Sequence, residues 1–550
     1  MHSLICAALN PPIDPEIIPP IRSRNAIFIE TDIRDIPPLR QILEKSITNK
    51  PQNFKKKREK RTPQVKYMQM AKQVEQSEVQ EHKETDGRLT RPLGLTERVL
   101  LERERVNHWG TVSSILLLDS KGELNQDHLR KALGVLPKRF PLLRMRINEK
   151  GSEACFEEMD SPDTVDFEVL DRITADNWEE GFEEEINGAL FNAETGPLWR
   201  VRLLRETLVD GKLRNALVFT FLHVICDALS IFVLQKKLLE FLTSLYSSEE
   251  FEVESLPFRP AMESLMSNLI EPSIGERLLF SSYFTLQRVK QFFAKPKNLY
   301  LSVYPPVADS DPTITKKTCL LSRTLSEEET TLLIKSCKEN KCTVHGTITA
   351  STHLAIARIL QQKKHGLEFP VSIESSYTVS LRKYCQPKVN NDEFGVYVCV
   401  SALSVPVPLL YPDDKQGFWE FARACSREVH TQLSSGKHLN VPKLYQCVEI
   451  PVYCRMSDCE YNEGRRPQII NITNCGALKT ELSEESPYKF GGMYFGLRGE
   501  KIGHVFGNNI LTVDGKLYWA VEYFPRVTNK TQAEDFIDLS LQILKQVFVQ

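Results

Sequence analysis

The sequence contains no window of about twenty consecutive apolar residues, so a membrane-spanning helix is not expected. Its 13 cysteines form no CxxC pair; Cys337/Cys342 and Cys454/Cys459 are each five apart, and no paired histidines complete a zinc set. That spacing excludes the common structural zinc sites, and free thiols in a reducing compartment are expected instead. A phosphate-cradling glycine loop, a GxSxG elbow and an HExxH pair are all missing, which sets aside three familiar kinds of catalytic chain. Charge of one sign is lacking too: 70 basic and 72 acidic residues leave a net charge of −2, too little for a field that would gather nucleic acid. The first twenty residues have no basic leader and are interrupted by prolines, a poor secretion signal, so a cytoplasmic location is expected.

What is present is enough apolar material for large cores: 41% hydrophobic and 9% aromatic residues over 550 positions. Two or three domains of about 100–200 residues are expected. Residues 1–90 differ from the rest. They are rich in proline, carry the basic run Lys55-Lys56-Lys57-Arg58-Glu59-Lys60-Arg61, and continue into the polar segment 73–86. Low hydrophobicity with dense charge predicts a disordered or loosely attached arm. The basic run is read as a solvated charge run in preference to a localisation or lipid-headgroup patch.

Beyond residue 90 strand-like and helix-like patterns mix, which predicts a layered α/β fold in two parts, 91–300 and 301–550. In the first part, 93–104 reads as a helix with Thr96 as its cap, followed by a strand over 112–118, a helix over 125–136 and a strand over 141–147. A helix over 178–190 and a strand over 197–204 come next. Arg200 and Arg202 alternate on that strand and are expected to face water. Segment 274–293 is aromatic and basic. It is read as a core or linker helix in preference to one lying on a membrane or covering a lipid channel. In the second part, strands are expected over 317–325, 370–380, 395–406, 467–473, 505–513 and 517–523, with helices over 326–338, 343–360, 418–433 and 532–547. Asp514-Gly515 between the last two strands signals a hairpin. His345 and His353, on one helix, are expected to be packed core histidines, and the acceptor motifs at Asn471 and Asn529 are expected to occur by chance.

The chain is organised around residues 216–245. A run of β-branched and aromatic residues over 217–222 predicts a buried strand, and apolar residues at helical spacing from Leu229 to Leu245 predict a helix after it. Between them lie His223-Val224-Ile225-Cys226-Asp227, a histidine and a carboxylate four residues apart, with Asp227 placed to cap the helix. An imidazole at a strand end is a simple way to build a general base. The same bare pattern recurs as His82 and Asp86, with a glycine following, but in the polar arm where no strand supports it, and it is read as coincidence.

Residues 93–550 resemble the chloramphenicol-acetyltransferase-like, or condensation-domain, superfamily of CoA-dependent acyltransferases, nearest to its alcohol acetyltransferase branch. The resemblance rests on Leu95-Thr96-Glu97, Pro141-Leu142-Leu143-Arg144, Pro197-Leu198-Trp199-Arg200-Val201, His223 with Asp227, the segment 347–355, Asn474-Cys475-Gly476 and the Asp514-Gly515 hairpin, in that order. It implies two similar subdomains, each a mixed sheet flanked by helices, with a tunnel between them and the histidine at its centre. By the resemblance His223 removes a proton from an alcohol or amine that attacks the thioester of an acyl-CoA. The acyl-CoA is a co-substrate, and no cofactor is bound permanently. Asp227 would be architectural, pairing with an arginine, for which Arg382 is the candidate. Partners would be the small-molecule donor and acceptor; no nucleic acid is expected, the protein would be a monomer, and any peripheral membrane contact would run through 274–293.

Two residues and one short run depart from the family pattern. Leu222 replaces a first histidine carried by peptide-bond-forming condensation domains, which favours the simpler transferases. Ala228 replaces the glycine that usually follows the aspartate, a strain only if that position needs positive φ. The run from Tyr488 to Gly492 is too far from the plant-branch motif to be used. The alternative reading is a catalytically silent module that keeps the tunnel for a ligand or partner.

Overall fold

Local signals in the sequence set many of the element boundaries. The computed structural model describes residues 88–548 apart from 151–152, 210, 250, 283–297, 308–313, 315, 365 and 462–465. The predicted arm over 1–90, its basic run and the His82 pattern therefore lie almost wholly outside the described residues. The first part runs β1 (Thr90–Pro92), α1 (Leu95–Asn107), β2 (Thr111–Ser120), α2 (Gln126–Arg139), β3 (Met145–Lys150), β4 (Glu153–Glu158), β5 (Asp166–Thr174), α3 (Trp178–Ile186), β6 (Trp199–Val209), β7 (Lys212–Leu222) and α4 (Ala228–Tyr246). After short helical turns come β8 (Cys319–Leu325), α5 (Glu327–Glu339), α6 (Val344–Lys363), β9 (Ser375–Ser380), β10 (Val398–Leu403), α7 (Lys415–Ser434), α8 (Asn440–Tyr445) and α9 (Ile450–Tyr461). The chain ends with β11 (Gln468–Leu478), β12 (Tyr488–Leu497), β13 (His504–Val513), β14 (Lys516–Tyr523) and α10 (Lys530–Phe548).

Caps fix several of these starts. Asn125 accepts the amides of Asp127 and His128, Ser326 forms a capping box with Glu329, and Thr343 accepts the amide of Gly346. The hairpin between β13 and β14 turns through Asp514 and Gly515, both at positive φ (46° and 86°), as a tight two-residue turn requires. Thr96, by contrast, is not a cap. Gly94 holds the N-cap position of α1, and Thr96 lies inside the helix, where its amide and hydroxyl both reach Glu263. Residues 141–144 form a 3-10 turn, led by a proline, before the strand starts at Met145. The strand expected from 370 starts only at Ser375.

Three sheets result, in the orders β12-β2-β7-β6-β5, β10-β9-β11-β13-β14-β8, and β1-β4-β3. Both large sheets mix parallel and antiparallel neighbours: β5 runs parallel to β6, and β11 runs parallel to both β9 and β13. Helices cover them, α2 packing on α4 in the first part and α6 on α7 and α10 in the second. Helix α6 can lie close because its residues are small: a Cβ on Gly346 would collide with Ser426 of α7. Residues 488–497 do not follow the division at residue 300. The chain leaves the second sheet after β11, adds β12 to the edge of the first sheet against β2, and returns for β13.

Two apolar cores are built this way, one around β2, β7, α2 and α4, the other around α6, α10, β11, β13 and β14. Phe221 is fully buried in the first, stacked against Trp199 and Phe219, and its truncation to alanine would cost about 3–5 kcal/mol. Arg200 is buried rather than solvated. Strand β6 is internal to its sheet, and Arg200 is bonded to Glu185 of α3 at 2.7 Å and to the carbonyl of Ala189 at 2.8 Å. His353 is fully buried on α6 and His345 half-buried, and desolvation pushes both pKa values down to about 4.

Candidate active site

Strand β7 ends at Leu222 and α4 begins at Ala228, and the five residues between them turn the chain back over the sheet. The turn is held from both ends. The amide of His223 donates to the carbonyl of Gly110 at 2.6 Å, and the amide of Asp227 to that of Gly395 at 3.1 Å. The Asp227 carboxylate caps α4, accepting the amide of Ser230 at 2.9 Å. Ala228 opens the helix and is not among the described residues with positive φ, so the glycine replacement carries no strain.

The imidazole is fixed as tightly as the backbone. His223 Nδ1 lies 2.6 Å from the carbonyl oxygen of Cys226. A carbonyl only accepts, so Nδ1 carries the proton, and the neutral ring keeps its lone pair on Nε2. Burial pushes the pKa of His223 below its ordinary value, outweighing the opposing pull of the Cys226 carbonyl and of Asp227. The ring is thus neutral near pH 7 and able to accept a proton.

Asp227 faces elsewhere. Its Oδ2 accepts Arg382 Nη1 at 2.7 Å and the amide of Tyr397 at 3.0 Å, while Oδ1 accepts Arg382 Nη2 at 2.9 Å. Arg382 also donates to Ser230 Oγ at 2.8 Å and lies over the Tyr397 ring. Burial opposes the carboxylate's charge, but the guanidinium and these donors more than offset it, so the Asp227 pKa lies below the ordinary range. Arg382 stands just after β9, so the pair ties the turn of the first sheet to the second part of the chain. The structure thus brings together all three residues singled out in the sequence: His223 at a cavity, with Asp227 and Arg382 as a buried two-pronged ion pair behind it.

The cavity beside His223 has a volume of about 250 Å³ and takes its walls from both large sheets. Trp109, Val112 and the 495–497 end of β12 line one side, and Thr378, Asn471 and Thr473 the other. Asn471 therefore faces this cavity, which is incompatible with a glycan there. Cys475 also borders it, but burial pushes its pKa up to about 12, so its thiol stays protonated and is a poor nucleophile. Sequence reasoning missed a second titratable pair on the wall, His504 and Glu522, 2.7 Å apart. The signal was available: the Asp514-Gly515 turn sets the register that places Gly507 opposite Glu522, a bare position facing a carboxylate. Among the described residues no group of three or more His, Cys, Asp or Glu could hold a metal ion.

Segment 274–293 is described only as far as Ser282 and is helical over those residues. Phe280 is buried against the α1/α8/α9 cluster, while Ile274, Leu278 and Leu279 are exposed. Its aromatic remainder, including Phe292, lies outside the described residues. No helix among the described residues is long and apolar enough to cross a membrane.

A cavity between two mixed sheets, with a strand-end histidine on its wall, fits the resemblance to the chloramphenicol-acetyltransferase-like transferases and condensation domains, and solved structures share the fold. TRI3 trichothecene 15-O-acetyltransferase from Fusarium sporotrichioides aligns with a TM-score of 0.61 at 11% identity, over 85% of this chain and 97% of its own. Polyketide synthase associated protein 5 from Mycobacterium tuberculosis aligns at 0.56 and 14%, over 83% and 98%. The EpoB cyclization-docking bidomain of Sorangium cellulosum aligns at 0.55 and 13%, over 93% and 99%. No curated protein matches the sequence. The family profile described as alcohol acetyltransferase matches residues 177–548, and the chain belongs to that family. It is an acyltransferase.

Proposed function

We propose that the protein moves an acyl group from a CoA thioester to an alcohol, with His223 as general base. The acceptor hydroxyl gives its proton to Nε2 as its oxygen bonds to the thioester carbonyl carbon. The tetrahedral oxyanion then collapses, the carbon–sulfur bond breaks, and the thiolate recovers the proton from the imidazolium. No covalent enzyme intermediate is required. Asp227 and Arg382 fix the turn that carries the histidine and take no proton, since both carboxylate oxygens are already engaged by donors other than the ring.

The observation that carries this reading is the 2.6 Å contact of Nδ1 with the Cys226 carbonyl, which sets the tautomer a base needs. Family membership supplies the reaction class, and the description of that family favours an alcohol over an amine. The alternative of a silent binding module drew on strain at Ala228 and on the long N-terminal arm; the ordinary backbone at Ala228 removes the first support, and the arm lies almost wholly outside the described residues. The test is free-thiol release from acetyl-CoA and a long-chain acyl-CoA with a panel of alcohols and amines. Release that depends on an alcohol is expected. No acceptor-dependent release with either donor overturns the proposal.

A further inference from the structure

The second histidine on the cavity wall is held as deliberately as the first. Glu522 of β14 receives three donors: the amide of Leu497 at 2.7 Å, Asn509 Nδ2 at 3.2 Å, and the His504 ring at 2.7 Å. Two of the donors converge on one oxygen, and His504 Nε2 meets the other. Room for the pair comes from glycines: a Cβ on Gly507 would collide with both Glu522 and His504, and one on Gly496 would come 3.1 Å from Glu522 Oε2. The Leu497 contact also joins the edge strand of the first sheet to the second at the cavity. Burying a histidine and a carboxylate is weak evidence for stability, because apolar residues of similar volume serve a sheet as well or better. The position on the cavity is what gives the pair a use.

The Glu522 carboxylate oxygen accepts, so Nε2 is the nitrogen that donates to it, and with a single ring proton the lone pair of His504 lies on Nδ1. That nitrogen has no hydrogen-bond partner among the described residues, and His504 borders the same cavity as His223. The two rings are engaged through opposite nitrogens, Nδ1 in His223 and Nε2 in His504, so with one proton each they are opposite tautomers. A simple monoalcohol has one hydroxyl to offer and would satisfy only one of them.

We propose that His504 is a specificity-determining residue: its Nδ1 accepts a hydrogen bond from a second hydroxyl of the acceptor, so that the preferred substrates are diol-type alcohols. The inference rests on the acyl-transfer reading of this cavity and adds the acceptor class to it. One hydroxyl meets His223 and is acylated, and the other is held by His504 without reacting. Glu522 is a positioning residue that fixes the tautomer of the ring.

The test uses α,ω-alkanediols from propanediol to decanediol, the 1-alkanols of matching length, and the monomethyl ethers of the diols, with acetyl-CoA as donor. At one chain length the diol should exceed both the alkanol and the ether by about tenfold in kcat/KM, the order expected for one well-made hydrogen bond. His504→Leu should level that preference. Glu522→Gln is the sharper variant: its amide donates to Nε2, moves the ring proton to Nδ1, and should raise the ether to the level of the diol. A purely structural pair would not produce that exchange. Equal rates for diol and alkanol at every length, an undiminished preference in His504→Leu, or an ether still rejected by Glu522→Gln would overturn the proposal. Equilibrium binding of the same compounds to the resting protein separates the two readings. Diol-selective binding with no thiol release leaves His504 standing and removes the transferase assignment, whereas release with neither selective turnover nor selective binding does the reverse.

Discussion

The molecule carries two pairings of histidine and carboxylate at one cavity, and they are built in opposite ways. His223 and Asp227 are four residues apart, yet the carboxylate turns from the ring toward Arg382, Ser230 and Tyr397, and the ring is held by a backbone carbonyl. His504 and Glu522 are eighteen apart, on neighbouring strands, and the carboxylate grips the ring directly. Closeness in sequence is therefore no guide to which acid serves which base. The local pair is a cap and a cross-brace, and the distant one is the true hydrogen-bonded couple. In both cases one ring nitrogen is engaged, and both residues line the cavity.

That contrast can be broken in several places. Arg382→Ala leaves Asp227 buried without its countercharge and should lower stability by about 3–5 kcal/mol, measured by denaturant unfolding. Pairing Arg382→Met with Asp227→Asn keeps the cap and removes the charge mismatch, so most of that loss should return. If the double variant is no more stable than Arg382→Ala, the unpaired buried charge is not the source of the loss. Gly507→Ala drives a methyl into the second pair and should cost about 1–3 kcal/mol. An unchanged unfolding midpoint would show that the strand yields there.

The pH dependence sharpens the comparison on the kinetic side. Folding depresses the pKa of His223, so the folded protein binds fewer protons there than the unfolded chain. The neutral ring, and the stability linked to it, is fully present above the unfolded value of about 6.5 and is lost as pH falls through the lower folded value. The acid limb of kcat/KM should accordingly have its midpoint below about 6.5 and fall about tenfold per pH unit beneath it. A midpoint above that value would contradict a desolvated base. The smallest effect is expected at Ala228→Gly, where restoring the family residue in an ordinary helical turn should cost up to about 0.5–1 kcal/mol by thermal melting. A gain in stability would mean that the turn does need a glycine.

Local chemistry made much of this legible. The run 217–222, Asp227 and the apolar spacing from Leu229 onward define strand, cap and helix without outside help, and Asp514-Gly515 defines its turn. What escaped was decided at long range. Strand β12 is apolar like its neighbours in the chain, and nothing in its own residues says that it pairs with β2, some 370 positions earlier, instead of the sheet on either side of it in sequence. Arg200 reads as a solvated strand position until Glu185 of α3 is placed over it. Thr96 is a good cap by type, but the chain enters α1 two residues earlier, through Gly94. Arg382 came from the family resemblance and not from any local pattern, because an ion pair across 155 positions leaves no periodicity to read.

The most direct measurement compares thiol release from acetyl-CoA by the wild-type protein and by His223→Ala, with circular dichroism confirming that both are folded. Removing a positioned base should lower the acceptor-dependent rate by about a hundredfold to ten-thousandfold at an unchanged fold. A folded His223→Ala protein turning over at the wild-type rate would contradict the claim that this imidazole performs the proton transfer.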